Sequence, residues 1–278
     1  MKTKESFDKR EFLTVMLLLI AISCIIAMFV YTGLRRLHYK QGETYTAIVE
    51  KAVTIQPTAV DVEEEMLSDI EVMAQVDPRA EWMNDRDGQD AYYMYIDFDA
   101  LKEQNSDCIG WIYACGGAIN LPIVESSDSQ YYLHHDFNKK QSPYGCVYTE
   151  SLDDKFIYSD TAIYGHHMKN NTMFWKFVDY KNEDFYKEYP AVYIFTEDGD
   201  RRYEIFSAYY LPVKEIEALE KETEGMNKAQ VIEHLKSRSL YDMNVEVSED
   251  DVILTIVTCE YSTGNSRMIL HAKTSNNK

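Results

Sequence analysis

The side chains with the clearest chemical potential are a thiol and a guanidinium near the end of the chain. Cys259 closes the apolar run 252–258, where a predicted strand gives way to a loop. Arg267 begins the next predicted strand, so a hairpin would place it beside Cys259 across the ladder. The permanent charge of a guanidinium would favour a thiolate and stabilise an oxyanion on an acyl substrate. The alternative is a surface arginine that pairs with one of the many carboxylates.

A nucleophilic thiol also needs a base or an imidazolium close to it. His166 and His167 follow a predicted strand directly, in a loop position that suits an active-site side chain. His134 and His135 form a second pair in a tyrosine-rich helical or turn segment. Histidines are also common in exposed loops, so residue type alone leaves both pairs open as candidates.

Other kinds of reactive site find little support in the sequence. The chain has no His-x-x-x-His pair and no aspartate-rich calcium loop, so we predict no metal site. It also lacks a Gly-x-Ser-x-Gly motif and a phosphate-binding glycine loop. Cys108, Cys115 and Cys146 fit neither a zinc spacing nor a disulfide scaffold, and each is expected to be a small buried apolar side chain.

The elements that must position these residues are mostly strands. Turn signals separate short apolar or alternating runs, and this pattern predicts a mainly β fold with a closed or nearly closed sheet. One helical insert precedes the last two strands: residues 213–236 have the periodicity of one or two amphipathic helices, broken near Gly225. The eight predicted strands are 110–113, 121–124, 145–148, 161–164, 191–195, 203–209, 252–257 and 268–272.

A long apolar segment lies near the N-terminus. Residues 12–34 contain no charged side chain, and about twenty helical residues span about 30 Å, the hydrocarbon thickness of a bilayer. We predict a retained transmembrane anchor, because a signal peptide would have a shorter apolar core and a small-residue exit site. Basic residues occur on both sides of the segment, so the positive-inside rule leaves its orientation undecided.

The charge is unevenly distributed along the chain. The net charge is -19, yet residues 1–40 carry seven basic and three acidic side chains, so the acidic excess lies in the rest. Such a body would repel a phosphate backbone, which argues against nucleic-acid binding. Residues 35–94 resemble an acidic stalk, with a predicted helix at 61–76 and a loop at 84–90, and the body follows at 95–278.

Four blocks of residues resemble the sortases, cysteine transpeptidases of the Gram-positive cell surface, and most closely their class B. They occur in family order over roughly residues 96–273, and the helical insert also resembles class B. The blocks are Ile-Gly-Trp-Ile at 109–112 with Leu-Pro-Ile-Val at 121–124, Tyr-Tyr-Leu-His-His-Asp-Phe at 131–137, Ile-Tyr-Gly-His-His-Met at 163–168, and Thr-Ile-Val-Thr-Cys at 255–259 with Arg267.

The resemblance implies a fold and a set of site residues. The fold would be a closed eight-stranded sortase-type β-barrel with N-terminal helices, and no cofactor is implied. Cys259 matches the nucleophile that attacks a threonyl carbonyl and forms a thioacyl enzyme. His166 matches the imidazole that protonates the leaving amine, and Arg267 matches the arginine that stabilises the oxyanion. The remaining histidine neighbours match no catalytic position. Three further residues match positions that line the class B substrate groove: Leu133, Tyr164 and Glu260.

The implied function is the joining of surface proteins that carry a sorting signal to a cell-wall amine of a peptidoglycan precursor. The enzyme would be a single-pass protein of the cell membrane, with residues 1–11 in the cytoplasm and the catalytic domain outside. Two alternatives stay open: a pilin-polymerising sortase with a lysine acceptor, and a catalytically silent surface-binding module with Cys259 buried. Class B members commonly have serine and asparagine where this chain has Val257 and Ser129, which leaves the sorting motif open.

Overall fold

The architecture is that of a computed structural model, which describes part of the chain. The predicted acidic helix at 61–76 and the loop at 84–90 lie outside the described residues. At several positions of the described helices and strands, including Cys259 and Glu260, the structure describes the backbone but not the side chain. The described residues are 9–57, 92–128, 131–150, 161–260 and 265–274.

Within the described ranges, eight strands close into a barrel, and two short strand pairs lie outside it. The strands are β1 (Val53–Pro57), β2 (Tyr92–Ile96), β3 (Cys108–Ala114), β4 (Ile119–Ser126), β5 (Val147–Glu150), β6 (Thr161–Gly165), β7 (His167–Met168), β8 (Thr172–Met173), β9 (Ala191–Phe195), β10 (Arg201–Pro212), β11 (Val252–Glu260) and β12 (Ser266–Thr274). Around the barrel the strand order is β10-β12-β11-β6-β5-β4-β3-β9. Two pairs, β4 with β5 and β6 with β11, are parallel, and the other pairs of the barrel are antiparallel.

The mainly β prediction with a closed sheet is confirmed, because each predicted run contributes one barrel strand. The runs are rich in β-branched and aromatic residues, which pack well on a pleated surface. Large side chains such as Trp111, Phe195 and Tyr203 are fully buried in the core. One boundary differs: Gly145 precedes β5, and its φ of +59° sets it outside extended geometry.

Five helices occur among the described residues. The predicted insert is present as two helices, and Gly225 lies between them with a φ of +79°. Leu219 of the first insert helix packs against Tyr209, Leu211 and Ile269, so the insert covers neighbouring positions of β10 and β12. The helices are α1 (Lys9–Ala52), α2 (Phe98–Gln104), α3 (Glu183–Glu188), α4 (Ile216–Thr223) and α5 (Lys228–Ser237), with short 3₁₀ segments at Cys115–Gly117, Trp175–Lys181 and Val213–Glu215.

The chain divides into two compact units. The barrel, its insert and the β1–β2 pair belong to the unit Ala47–Lys278. The preceding unit, Met1–Thr46, includes most of α1 and the predicted anchor at 12–34. Among the residues that the structure describes, no helix combines the length and the apolar character needed to cross a bilayer.

One titratable side chain is enclosed within the body. His271 of β12 is 4% exposed, and its ring nitrogens lie 2.9 Å from the Tyr209 hydroxyl and 3.0 Å from the Thr255 hydroxyl. Burial, followed by the positive charge of Arg238, lowers the pKa of His271 to about 3. The imidazole is therefore neutral in the folded protein at pH values well above 3.

We expect this buried histidine to make stability depend on pH. The pKa of His271 is lower in the folded than in the unfolded chain, so the unfolded chain binds the extra proton as the pH falls below about 6.5. The contribution of His271 to the free energy of unfolding is therefore greatest above about pH 6.5. It falls by about 1.4 kcal/mol for each pH unit of acidification towards pH 3.

The measurement is urea unfolding of the chain and of His271→Gln between pH 4 and pH 7. The free energy of unfolding of the parent, minus that of the variant, should fall with acidification at this slope. A difference that stays constant over the range would show that His271 does not remain neutral in the folded state.

Candidate active site

Three adjacent chain segments bring the predicted catalytic residues into one row. Strand β11 pairs in parallel with β6, with Thr258 opposite Gly165, and antiparallel with β12, with Cys259 opposite Arg267. His166 is the first residue after β6, at the level where Cys259 follows Thr258. Because neighbouring strands lie about 4.8 Å apart, this register places the three residues within reach of a single reacting group.

A close contact fixes the end of β6 and the backbone of His166. A Cβ added at Gly165 would lie 2.5 Å from the ring of Phe174, a distance that a side chain cannot adopt. Phe174 is fully buried, and its backbone N–H donates to the His166 carbonyl at 2.8 Å. Glycine at position 165 therefore allows an aromatic ring to support the segment that carries the histidine.

The imidazole of His166 is held from a different part of the chain. Its Nε2 lies 2.9 Å from the backbone carbonyl oxygen of Leu133. Leu133 belongs to the turn that follows Tyr131, so one of the predicted groove residues contacts the predicted catalytic imidazole directly. The resemblance assigned both residues to one site, but it did not predict this hydrogen bond.

Arg267 carries a fixed positive charge beside the backbone of Cys259. Its Nη1 donates to the Ser266 carbonyl at 3.2 Å, and the side chain is half-buried. Among the side chains that the structure describes, no carboxylate is within ion-pair distance of this guanidinium. The alternative of an arginine neutralised by a surface carboxylate therefore finds no support in that part of the protein.

The other predicted groove residues lie along the same strands. Tyr164 pairs with Val257 on one side and with Tyr148 on the other, and the two tyrosine rings stack at 5.3 Å. Glu260 ends β11, and its backbone pairs with Ser266. Tyr148 was not among the predicted site residues, since nothing in its own run distinguishes it from a core tyrosine.

The histidines without a predicted catalytic role make other contacts. His135 stacks on Tyr131 at 4.1 Å, and its Nδ1 lies 2.7 Å from the Tyr131 carbonyl. His167 belongs to β7, where it pairs with Met173, and His134 is exposed. No group of three or more His, Cys, Asp or Glu side chains that could hold a metal ion occurs within the described part of the chain.

The other body cysteines are unlike a catalytic thiol in their surroundings. Cys108, Cys115 and Cys146 are buried free thiols, as the sequence predicted for small apolar side chains. Burial raises the pKa of the Cys108 thiol to about 12, which suppresses the reactive thiolate. Cys259 differs from them in its position, one residue from the end of a strand and opposite an arginine.

Comparisons with known proteins agree with this geometry. The Sortase domain family model matches residues 118–275, more than half of the chain. Sortase B of Listeria monocytogenes is 31% identical over 180 residues, which cover 62% of this chain and 72% of that protein. The X-ray structure of Clostridium perfringens sortase B has a TM-score of 0.59 at 34% identity and covers 64% of this chain and 98% of that one. A Staphylococcus aureus sortase B–substrate complex has a TM-score of 0.55 at 28% identity, covering 63% and 83%.

Fold, register and similarity define a cysteine transpeptidase built on a closed β-barrel. The chain belongs to the sortase family, and within that family it is a class B enzyme. The predicted family, fold and enzyme class are thereby confirmed.

We expect native-state alkylation to separate the cysteines of the body. At pH 8 a thiol reagent should modify Cys259 in the folded full-length chain and leave Cys108, Cys115 and Cys146 intact, because buried thiols present almost no thiolate. Peptide mapping by mass spectrometry gives the modified fraction at each position, and the unfolded chain in guanidinium serves as the control in which all react. Equal rates at Cys108 and Cys259 in the folded chain would contradict the proposed difference in environment.

Proposed function

We propose that this enzyme cleaves a sorting signal after threonine and transfers the surface protein to an amine of the cell wall. The single observation that carries the proposal is the row formed by His166, Cys259 and Arg267 on adjacent segments of the barrel. Nucleophile, proton carrier and fixed cation are the three groups that acyl transfer by a thiolate requires.

The first half of the proposed reaction forms a thioester. The Cys259 thiolate attacks the threonyl carbonyl, and the guanidinium of Arg267 stabilises the negative charge that develops on the carbonyl oxygen. The imidazolium of His166 donates a proton to the amine nitrogen as the carbon–nitrogen bond breaks. The products are the acylated Cys259, a neutral imidazole and a free amine.

The second half reverses the proton movement. An amine of the acceptor attacks the thioester, and neutral His166 removes a proton as the new carbon–nitrogen bond forms. Cys259 leaves as a thiolate, which restores the starting state of the ion pair. The acceptor we favour is an amine of a peptidoglycan precursor, with a pilin lysine as the other candidate.

Three residues are proposed to contact the sorting signal. Leu133 lies against the imidazole of His166 through its carbonyl. Tyr164 lies two residues before that histidine, on the strand beside β11. Glu260 directly follows the nucleophile and ends the same strand. Their positions on both sides of the row support contact with the peptide that surrounds the reacting carbonyl.

We also propose that residues 12–34 anchor the enzyme in the cell membrane, with the catalytic unit outside. The support is the sequence, which has no charged side chain over this stretch. An anchor at the membrane surface would keep the enzyme where secreted proteins carrying sorting signals emerge.

The test of the chemistry is acylation by sorting-signal peptides. Mixed with peptides of the Asn-Pro-x-Thr and x-Pro-x-Thr-Gly types, the full-length chain should gain the mass of the acyl fragment on Cys259. Cys259→Ala should show no adduct and lose turnover by about four orders of magnitude, because no other group can form the thioester.

Cys115→Ala is the matched control, since it removes a buried thiol elsewhere in the body. It should retain both adduct and turnover. Full turnover in Cys259→Ala would contradict the proposed mechanism, and the peptide type that reacts identifies the class of sorting motif.

The test of the anchor is membrane extraction. In cells that express the full-length chain, we expect alkaline carbonate to leave it in the membrane pellet, because an uncharged segment of this length, acting as the proposed anchor, would partition into lipid. Protease added outside intact cells should remove the body while residues 1–11 stay protected. Release of the chain into the carbonate supernatant would contradict the proposed anchor.

A further inference from the structure

The hydrogen bond of His166 determines which ring nitrogen can exchange a proton. The partner of Nε2 is the Leu133 carbonyl oxygen, at 2.9 Å. A carbonyl can only accept a hydrogen bond, so Nε2 keeps its proton whether the ring is neutral or positively charged. Proton exchange with a reacting group then takes place at Nδ1.

The position of the Leu133 carbonyl depends on the residue before it. Tyr132 is fully buried. Its hydroxyl donates to the Asp107 carboxylate at 2.7 Å and accepts a hydrogen bond from the side-chain Nδ2 of Asn105 at 2.8 Å. The backbone of Tyr132 is fixed as well, because its carbonyl accepts the Cys146 N–H at 2.9 Å. Ring, hydroxyl and backbone thus attach this turn to two other segments of the chain.

The charges around the Tyr132 hydroxyl favour a neutral donor. Burial and the hydrogen bond to Asp107 both raise the pKa of Tyr132. Partial burial opposes ionisation of Asp107, but hydrogen bonds from Tyr132 and Lys139 nevertheless lower its pKa. The carboxylate stays charged and the phenol stays protonated, so this hydrogen bond persists across the pH range in which a thiol and an imidazole titrate.

A glycine permits the close approach of this turn to the imidazole. Gly145 has a φ of +59°, and a Cβ added there would lie 2.5 Å from the Tyr132 carbonyl oxygen and 2.9 Å from that of Leu133. The same Cβ would lie 3.1 Å from Cδ2 of the His166 ring. Position 145 therefore tolerates no side chain while the turn holds the imidazole.

We propose that Tyr132 is a positioning residue for His166, acting through the Leu133 carbonyl, and that Nδ1 of His166 is the nitrogen that transfers the proton. The inference rests on the proposed function, in which His166 is the proton carrier. During thioester formation Nδ1–H passes its proton to the leaving amine as the carbon–nitrogen bond breaks. In the second half Nδ1 takes a proton from the attacking amine. Throughout the reaction Nε2 keeps its proton and its hydrogen bond to the Leu133 carbonyl.

The decisive variant is Tyr132→Phe, which keeps the buried ring and removes the hydroxyl. With the turn released, the bond from Nε2 to the Leu133 carbonyl weakens. We expect kcat to fall about ten- to a hundredfold, with a smaller change in KM, because the imidazole is misplaced while the substrate groove persists. The bond favours the charged imidazole, so its loss should shift the imidazole limb of the pH–rate profile to lower pH.

A direct readout does not depend on turnover. In the full-length chain labelled with ¹⁵N-histidine, NMR should show His166 as the Nε2–H tautomer, and Tyr132→Phe should lower the pH midpoint of its titration. Asp107→Asn is the second variant, since it replaces the charged acceptor of the hydroxyl at a partly exposed position. It should shift the midpoint in the same direction by a smaller amount, and it decides the question if Tyr132→Phe does not fold.

Two matched controls separate positioning from general loss of stability. Tyr241→Phe removes a hydroxyl that donates to the Tyr180 carbonyl at 2.7 Å, outside this set of contacts. Gly225→Ala introduces strain at a φ of +79° with open space around the added Cβ, whereas Gly145→Ala adds strain and displaces the turn. Both controls should keep the parental pH profile, and Gly145→Ala should change it as Tyr132→Phe does.

The outcomes distinguish this inference from the proposed function. An unchanged titration midpoint and kcat in folded Tyr132→Phe, or in Asp107→Asn where that variant decides, would overturn the positioning role. An Nδ1–H tautomer in the parent would overturn the assignment of the nitrogen. Full turnover in His166→Ala would instead overturn the proposed role of the histidine itself, whatever the NMR shows for Tyr132.

Discussion

The parallel pairing of β6 with β11 is the constraint on which the rest of the site depends. It places Gly165 opposite Thr258, and it closes the barrel between strands that are far apart in sequence. Parallel strands need a long crossover, and here the crossover includes β9, β10 and the helical insert. The row of His166, Cys259 and Arg267 exists because this pairing and the β11–β12 hairpin share one strand, so His166 and Arg267 flank the same residue.

Absent side chains matter as much as reactive ones in this arrangement. At Gly165 a Cβ would meet the ring of Phe174, and at Gly145 it would meet the carbonyl oxygens of Tyr132 and Leu133. Both glycines allow a supporting group to approach the segment or the ring of His166. In the role proposed for His166, a general acid and base must be held within a fraction of an ångström of its working position, and close packing around the backbone would provide that rigidity.

Much of the fold was predictable because its signals are local. Alternating and β-branched runs identified all eight barrel strands, and Gly225 identified the break between α4 and α5. The strand run at 145–148 was predicted two residues too early, because apolar content cannot reveal that Gly145 has a positive φ. Tyr132, Tyr148 and Phe174 were missed for a related reason: each resembles an ordinary core aromatic, and its importance lies in which distant segment it contacts.

By itself the sequence determined the order of the strands along the chain, the residue types able to carry acyl transfer, and the resemblance that connects them. These are properties of short windows, in which side-chain chemistry and periodicity are sufficient. The tertiary structure decided the parallel register of β6 with β11 and the attachment of the Leu133 turn to His166. Those contacts join residues distant in sequence, and their free energy depends on the closed barrel as a whole, so no local pattern encodes them.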